Sequence, residues 1–327
     1  MSTEYVIPVG EPNGTIELGR EKAVLQFRSG SVEALVKVLI PLLPDPQLVF
    51  EAEIPLRTLL GLADSAEINF VDLNFSTSCH ISRATPFSTE SSKARLWPPG
   101  DTIVGASDSQ LRRVLFALPN FPRFIAKGVM RPTNGGWERR DELALSFGPW
   151  NVTIWNTADI KDRKESLDQN GGYAITATGQ LSRSDGLGFT FSEADPWLEA
   201  LRVFFSFACG RWTGPILHTG VNDLGERVCQ RWSVPLIDGG ISVNTWFDVH
   251  HGRCLESLLP GFIERWVHPV WKETINHAIY WFVRANSNGA GADGSLILSQ
   301  AALERLSWTT RVQIGYLTAF RPLKTWA

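Results

Sequence analysis

Residues 48–54 read LVFEAEI, and this stretch decides the fold class. Four apolar residues, Leu48, Phe50, Ala52 and Ile54, share one face, and Glu51 and Glu53 lie on the opposite face. A half-buried β-strand requires this period of two, because successive side chains of a strand point to opposite faces of the sheet. Similar alternation recurs in residues 23–28, 66–72, 78–84, 142–147, 151–157 and 173–183. These segments predict a β-rich body.

Turn-forming sequences separate the predicted strands. They are PNG at residues 12–14, PPG at 98–100, and NGG at both 134–136 and 170–172. Many short strands without regular helices between them indicate antiparallel sheets, arranged either as a sandwich or as an irregular barrel.

One helix is predicted inside this body. Asp195 precedes Pro196, which predicts an N-cap residue before a proline at the first helical position. Apolar residues then follow at helical spacing until Gly210 ends the run. Because the helix is so apolar, we expect it to pack across a sheet. Residues 214–220 and 226–232 follow as the two strands of a predicted hairpin.

The period of the apolar residues changes after about Trp246. Apolar residues now recur three and four apart, as in helices, in residues 249–259, 268–285 and 295–308. We therefore predict an α+β chain with a β-rich N-terminal domain at residues 1–245. A short helical region follows at residues 246–327.

Composition restricts the functional classes. The 327 residues carry a formal net charge of −3 and a pI near 6.1, so nothing predicts bulk attraction to nucleic acid or anionic membranes. The N-terminus lacks the pattern of a signal peptide, and the apolar runs are too short to span a bilayer. The four cysteines form no C-x-x-C pair. We expect a cytoplasmic protein with reduced thiols, without a cofactor or a membrane partner.

Candidate ligands for a metal ion occur near the boundary between the two regions. His250 and Cys254 would share one face of a helix, and His251 is adjacent. A structural zinc site requires four such groups and a catalytic site usually three. Cys229 could complete a set only through a tertiary contact. The alternative is that the histidines serve as hydrogen-bonding groups, and we predict no metal.

The other catalytic motifs are weak or absent. Residues 289–294 spell G-x-G-x-x-G, but a predicted helix precedes them where a dinucleotide-binding fold requires a strand. A helix–helix connector is the alternative interpretation of this loop. The sequence contains no G-x-S-x-G, H-E-x-x-H or P-loop motif.

Tryptophans supply one binding hypothesis. Flat aromatic faces on β-domains stack on sugar rings or on the bases of single-stranded nucleic acid. The candidates in or beside predicted strands and loops are Trp97, Trp137, Trp155, Trp212 and Trp246. The alternative is that they fill the core.

A resemblance to a known family concerns the C-terminal helices. Residues 276–286 (NHAIYWFVRAN) and 294–308 (GSLILSQAALERLSW) resemble the helical pair that begins the C-terminal domain of ApeA-like HEPN proteins. In that group, an aromatic-rich helix ending in AN leads into a helix with a Q-x-A-L-E-x-L core. The predicted helix 198–210 and the hairpin after it are similar to the end of the domain that precedes HEPN.

The resemblance implies a prokaryotic, anti-phage type of defence protein, in which a β-domain senses a signal and a HEPN domain cleaves RNA. HEPN nucleases use an R-x4-6-H motif on a later helix. Here no histidine follows His277, so the helical region resembles only the start of a HEPN domain. Arg211 and His218 match the motif elsewhere, between a predicted helix and a predicted strand.

We therefore expect a non-catalytic sensor or regulatory domain that recognises an unknown ligand or partner, including RNA or a phage-derived molecule. Helices 268–308 would associate with a second copy or another protein. Two alternatives stay open: an aromatic-rich module that binds carbohydrate or single-stranded nucleic acid, and an RNase or hydrolase with an unrecognised site.

Overall fold

The computed structural model of the chain describes residues 5–28, 30–55, 65–73, 75–86, 91–133, 136–240, 245–248, 250–287 and 291–313. Only the backbone is described for residues 82–86, 127, 129–133, 136–140 and 312–313. Within these ranges, antiparallel strands form most of the regular structure before residue 240, and helices follow. The predicted α+β class is therefore confirmed.

Six strands of the N-terminal part close into an antiparallel barrel in the order β1-β2-β3-β6-β5-β4. These strands are β1 (Thr15–Phe27), β2 (Gly30–Pro41), β3 (Val49–Pro55), β4 (Ser65–Phe70), β5 (Phe75–Pro86) and β6 (Ser91–Trp97). In β3, Phe50, Ala52 and Ile54 are buried, whereas Glu53 is exposed. The alternation in residues 48–54 thus fills the barrel interior, and pairing of β4 with β1 leaves no open edge.

An antiparallel sheet of eight strands follows, in the order β7-β14-β13-β8-β12-β11-β10-β9. Its strands are β7 (Thr102–Gly105), β8 (Arg113–Pro119), β9 (Lys127–Thr133), β10 (Gly136–Phe147), β11 (Trp150–Asn156), β12 (Ile175–Arg183), β13 (Ile216–Val221) and β14 (Arg227–Trp232). The predicted hairpin is confirmed, because β13 pairs with β14 around a turn at Asn222.

Five α-helices lie within the described ranges. They are α1 (Ile160–Asn170), α2 (Phe191–Cys209), α3 (Cys254–Trp266), α4 (Pro269–Asn286) and α5 (Gly291–Trp308), and a π-helical turn, Thr309–Gln313, continues α5. The barrel shares a core with one part of the sheet, including Ile175 and Trp232. Helices α2, α3 and α4 share a second core with the sheet, through residues such as Leu201, Leu259 and Ile279. The core therefore continues across the predicted boundary near residue 246.

Helix α2 begins earlier than the sequence predicts. Thr190, not Asp195, is the N-cap: its side chain accepts from the backbone of Glu193, whose carboxylate accepts from the backbone of Thr190. This capping box satisfies two backbone donors at the start of the helix. Pro196 consequently lies inside the helix, where it removes one backbone hydrogen bond. Asp195 instead pairs with Arg231 of β14.

The last two helices run antiparallel, as the short connection between them predicts. Ser295 donates to the backbone oxygen of Ala285 (2.7 Å) near the connection. At the other end, the hydroxyls of Thr274 and Thr309 lie 2.8 Å apart. The start of α5 therefore contacts the end of α4, and the end of α5 lies beside the start of α4.

Candidate ligand-binding and docking sites

The first candidate site is a cleft of about 660 Å³ on the eight-stranded sheet, beside the chain at Tyr5–Val9, here called the Trp155 cleft. Its polar and aromatic lining comprises Tyr5, Arg113, Trp155, Thr157, Asp159, Arg163, Thr178 and Gln180. Trp155 and Gln180 lie on the adjacent strands β11 and β12, Arg113 lies on β8 beyond them, and Arg163 belongs to α1.

The pairing of β10 with β11 orients Trp155. Trp155 lies directly opposite Glu142, and its indole Nε1 donates to a carboxylate oxygen of Glu142 at 2.7 Å. Trp155 is half-buried and lines the cleft, with its polar edge bonded to the neighbouring strand.

Arg163 is the buried charge of this site. Its side chain is 4% exposed, and its Nε lies 2.6 Å from a carboxylate oxygen of Asp159. That hydrogen bond lowers the pKa of Asp159, which therefore stays ionised at neutral pH. The Nη1 of Arg163 has no hydrogen-bond partner among the described residues. This nitrogen is itself buried, and a buried, unsatisfied guanidinium nitrogen is costly.

The other predicted tryptophans occupy different surroundings. Trp212 is buried, with the Arg202 guanidinium 5.5 Å from its ring centroid. Trp246 packs on Phe207 with ring centroids 5.2 Å apart. Trp97 is half-buried at the end of β6. The side chain of Trp137 lies outside the described residues. Trp155 is the candidate that the structure combines with charged groups in a cleft.

Arg211 and His218 have different partners. Arg211 donates to the backbone oxygen of Asn120 and lines a cavity of about 290 Å³. His218 is buried on β13, where burial and the nearby Arg231 lower its pKa to about 3 while Asp195 opposes the shift. His218 is therefore neutral at physiological pH. The described partners of the two side chains are therefore different.

His250, His251 and Cys254 line one surface cavity at the start of α3. The Nδ1 of His251 lies 2.6 Å from a carboxylate oxygen of Asp248, and this contact lowers the pKa of Asp248. In the part of the chain that the structure describes, no group of three His, Cys, Asp or Glu residues could hold a metal ion.

The G-x-G-x-x-G loop is only partly described, since residues 288–290 lie outside the described ranges. Helix α4 precedes the loop, as predicted.

The second candidate site is an apolar groove of about 630 Å³ across the C-terminal helices, here called the helical groove. Its lining includes Phe207 of α2, Phe262 of α3, Ile275, Ile279 and Phe282 of α4, and Ala302, Leu303 and Leu306 of α5. Within α5, Ala302 is the buried residue, whereas Leu296, Ile297 and Leu303 are about 70% exposed. Exposed apolar surface of this kind marks an interaction site more often than an inert face.

Comparison with known proteins matches two regions of the chain, and each region contains part of a candidate site. Residues 106–243 match the model of the YopA central domain, and residues 268–319 match that of the YopA C-terminal domain. The chain is 27% identical over 285 residues to the SPbeta prophage-derived uncharacterized protein YopA of Bacillus subtilis (strain 168). That alignment covers 84% of this chain and 63% of the relative, so the chain spans less than two-thirds of the length of that protein.

Most of the residues named for each site fall in one of the two matches. Arg113, Trp155, Arg163 and Gln180 fall in the match to the central domain, whereas α4 and α5 fall in the match to the C-terminal domain. No solved structure matches the chain. Across the described residues, no helix is long and apolar enough to cross a membrane.

Proposed function

We propose that this chain is a non-catalytic recognition module of the prokaryotic defence type, whose C-terminal helices dock a second copy of the chain. The helical groove carries the proposal: the helices that resemble the start of a HEPN domain form an apolar groove with exposed apolar residues at its rim. The B. subtilis relative is a prophage-derived protein, which supports a setting in which phage and host compete.

A second copy suits this surface because the surface contains both halves of a contact. Helix α5 supplies a ridge, formed by Leu296 and Leu303 two turns apart on one face, and Leu303 also lines the groove that α5 shares with α4. A two-fold interface requires one patch to be complementary to itself, so a ridge beside a groove fits it. Two antiparallel pairs of α4 and α5 would then pack as a four-helix arrangement.

Substitution of the ridge tests the docking. Leu303→Glu is expected to weaken self-association, measured by size-exclusion chromatography with light scattering over a concentration series. Full burial of a leucine is worth about 1.5–3 kcal/mol, and Leu303 is 68% exposed, so docking would gain about 1–2 kcal/mol per copy. A two-fold dimer contains the residue twice, which gives about 2–4 kcal/mol, or roughly 30- to 1,000-fold in the dissociation constant.

Leu224→Glu is the matched control, since Leu224 is 69% exposed but lies in the turn between β13 and β14 and is not among the described residues that line the groove. A wild-type chain that stays monomeric at all concentrations, or a Leu303→Glu variant that associates as the wild type does, would overturn the docking.

Incubation of the chain with total RNA tests the proposal that it is non-catalytic. Cleavage that disappears in Arg211→Ala or His218→Ala would refute it.

A further inference from the structure

We infer that Arg265 of the helical groove pairs with Asp293 of a second copy, and that this pair fixes two α5 helices in an antiparallel register. The inference rests on the proposed docking of a second copy and names the charged contact that makes the docking selective. It follows from a cation in the groove, an acid on α5, and the way two-fold symmetry brings them together.

Arg265 is the cation of the groove. Among the described residues that line the groove, it is the one charged side chain. It is exposed near the end of α3, where its Nη1 donates to the backbone oxygen of Gly261 at 3.0 Å and its guanidinium lies 5.9 Å from the ring centroid of Trp271. Both partners are neutral, and within the described part of the chain no carboxylate forms an ion pair with Arg265. Its charge can therefore pair with an acid that a second copy supplies.

The acid lies on the side of α5 that faces away from the groove. Successive residues of a helix are rotated by about 100°, so Leu306, which lines the groove, lies about 60° to one side of Leu303. By the same rotation, Asp293 lies about 80° and Glu304 about 100° to the other side of Leu303. Both carboxylates are exposed. Glu304 accepts from Gln300 at 2.8 Å, whereas Asp293 has no side-chain partner among the described residues.

Two-fold symmetry brings that side of α5 to helix α3 of the other copy. Helix α4 packs on both α3 and α5, and all three helices line the groove. When the ridge of each copy enters the groove of the other, each α5 lies between the α5 and the α3 of the other copy. The side of α5 that faces away from its own groove then meets the wall that contains Arg265.

The position of Arg265 along the groove selects Asp293 over Glu304. Arg265 contacts Trp271 in the first turn of α4, and the start of α4 lies beside the end of α5. An antiparallel second α5, centred on the ridge, brings its own first turn to that end of the groove. That turn contains Asp293, whereas Glu304 lies toward the opposite end of the helix. Antiparallel packing also opposes the dipoles of the two α5 helices, which is favourable.

Charge reversal in the full chain tests the pair, with the dimer dissociation constant measured by light scattering over a concentration series. Arg265→Glu and Asp293→Arg are each expected to raise this constant about 5- to 30-fold, since an exposed ion pair contributes modestly but a two-fold dimer contains it twice. The double variant rebuilds the pair with its charges exchanged, so it should return to within about threefold of the wild type. Both side chains are exposed, so these substitutions leave the core intact.

Glu304→Arg is the matched control, because it reverses an exposed acid on the same side of α5. Combined with Arg265→Glu, it should not restore association. Restoration by Glu304→Arg instead of Asp293→Arg would refute the antiparallel register, because a parallel second α5 would bring Glu304 to Arg265. A double variant of Arg265→Glu and Asp293→Arg that associates no more tightly than Arg265→Glu alone would refute the pair.

Salt provides a second measurement of the pair. Raising the salt concentration from about 0.05 M to about 0.5 M should weaken association of the wild type about fivefold, because salt screens exposed charges. The neutral double variant Arg265→Met/Asp293→Asn should change less than about twofold over the same range. Equal salt dependence in the two chains would contradict the inference.

The outcomes separate this inference from the docking itself. If Leu303→Glu weakens association but neither charge reversal does, the ridge docks and the inferred pair is wrong. A wild-type chain that stays monomeric at all concentrations would overturn the docking and the pair together.

Discussion

Acidification from about pH 7.5 to about pH 5 is expected to destabilise the folded chain through His218. This histidine is buried on β13, and its Nε2 has no hydrogen-bond partner among the described residues. Burial and, to a lesser extent, the positive charge of Arg231 lower its pKa to about 3, although Asp195 and the backbone at Pro215 act in the opposite direction. The folded chain therefore excludes a proton that the unfolded chain accepts near pH 6.5.

The size of the effect follows from linkage. Between pH 6.5 and about pH 3, the unfolded state binds one more proton at this residue than the folded state, so the free energy of unfolding falls as the pH falls. A pH of 5 lies about 1.5 units below the pKa of the histidine in the unfolded chain. The free energy of unfolding is therefore about 2 kcal/mol lower at pH 5 than at pH 7.5. Carboxylates whose pKa is lowered by pairing, such as Asp159, contribute mainly at lower pH.

Urea denaturation at several pH values between 7.5 and 5 measures this loss. His218→Gln keeps a polar side chain of similar reach but removes the titration, and it should show a pH dependence smaller by about 2 kcal/mol. His251→Gln is the control, because His251 is 79% exposed. Equal pH dependence in the wild type and in His218→Gln would refute the reasoning.

Two further predictions concern the capping box and the thiols. Thr190→Ala should lower the free energy of unfolding by about 1 kcal/mol, because it removes the acceptor for the backbone of Glu193; urea denaturation measures this, and an unchanged midpoint would contradict the capping role. Reaction of the native chain with a thiol reagent at pH 8 should modify Cys254 first, because it is partly exposed, whereas burial raises the pKa of the Cys209 thiol to about 12. Cys254→Ser should remove the fast phase, and its persistence would count against this order.

Local patterns predicted most of the strands because the alternation of apolar and polar residues depends only on which face of the strand is buried. In residues 48–54, the alternation needs only one buried face, and the barrel interior supplies it. The start of α2 was predicted wrongly because a local signal was outweighed by contacts that the signal does not include. An aspartate before a proline is a good local signal, but Asp195 pairs with Arg231 of a distant strand, and Thr190 and Glu193 cap the helix instead.

Helix α1 was not predicted, and with it Arg163 was missed. Its eleven residues, IKDRKESLDQN, are mostly polar, and the residues that it buries are Ile160, Arg163 and Leu167. Two apolar residues give too short a stripe to indicate a helix. The spacing of these three residues is helical, but the burial of an arginine becomes visible only when the neighbouring strands are in place.

The sequence by itself determined the α+β class, the hairpin of β13 and β14 and the change to helices near residue 246, because strand and helix periods are properties of neighbouring residues. Only the tertiary structure decided that β4 closes on β1 as a barrel and that Trp155, Gln180 and Arg163 meet in one cleft. Strand pairing and convergence of side chains join residues far apart in the chain, and no local period records those contacts.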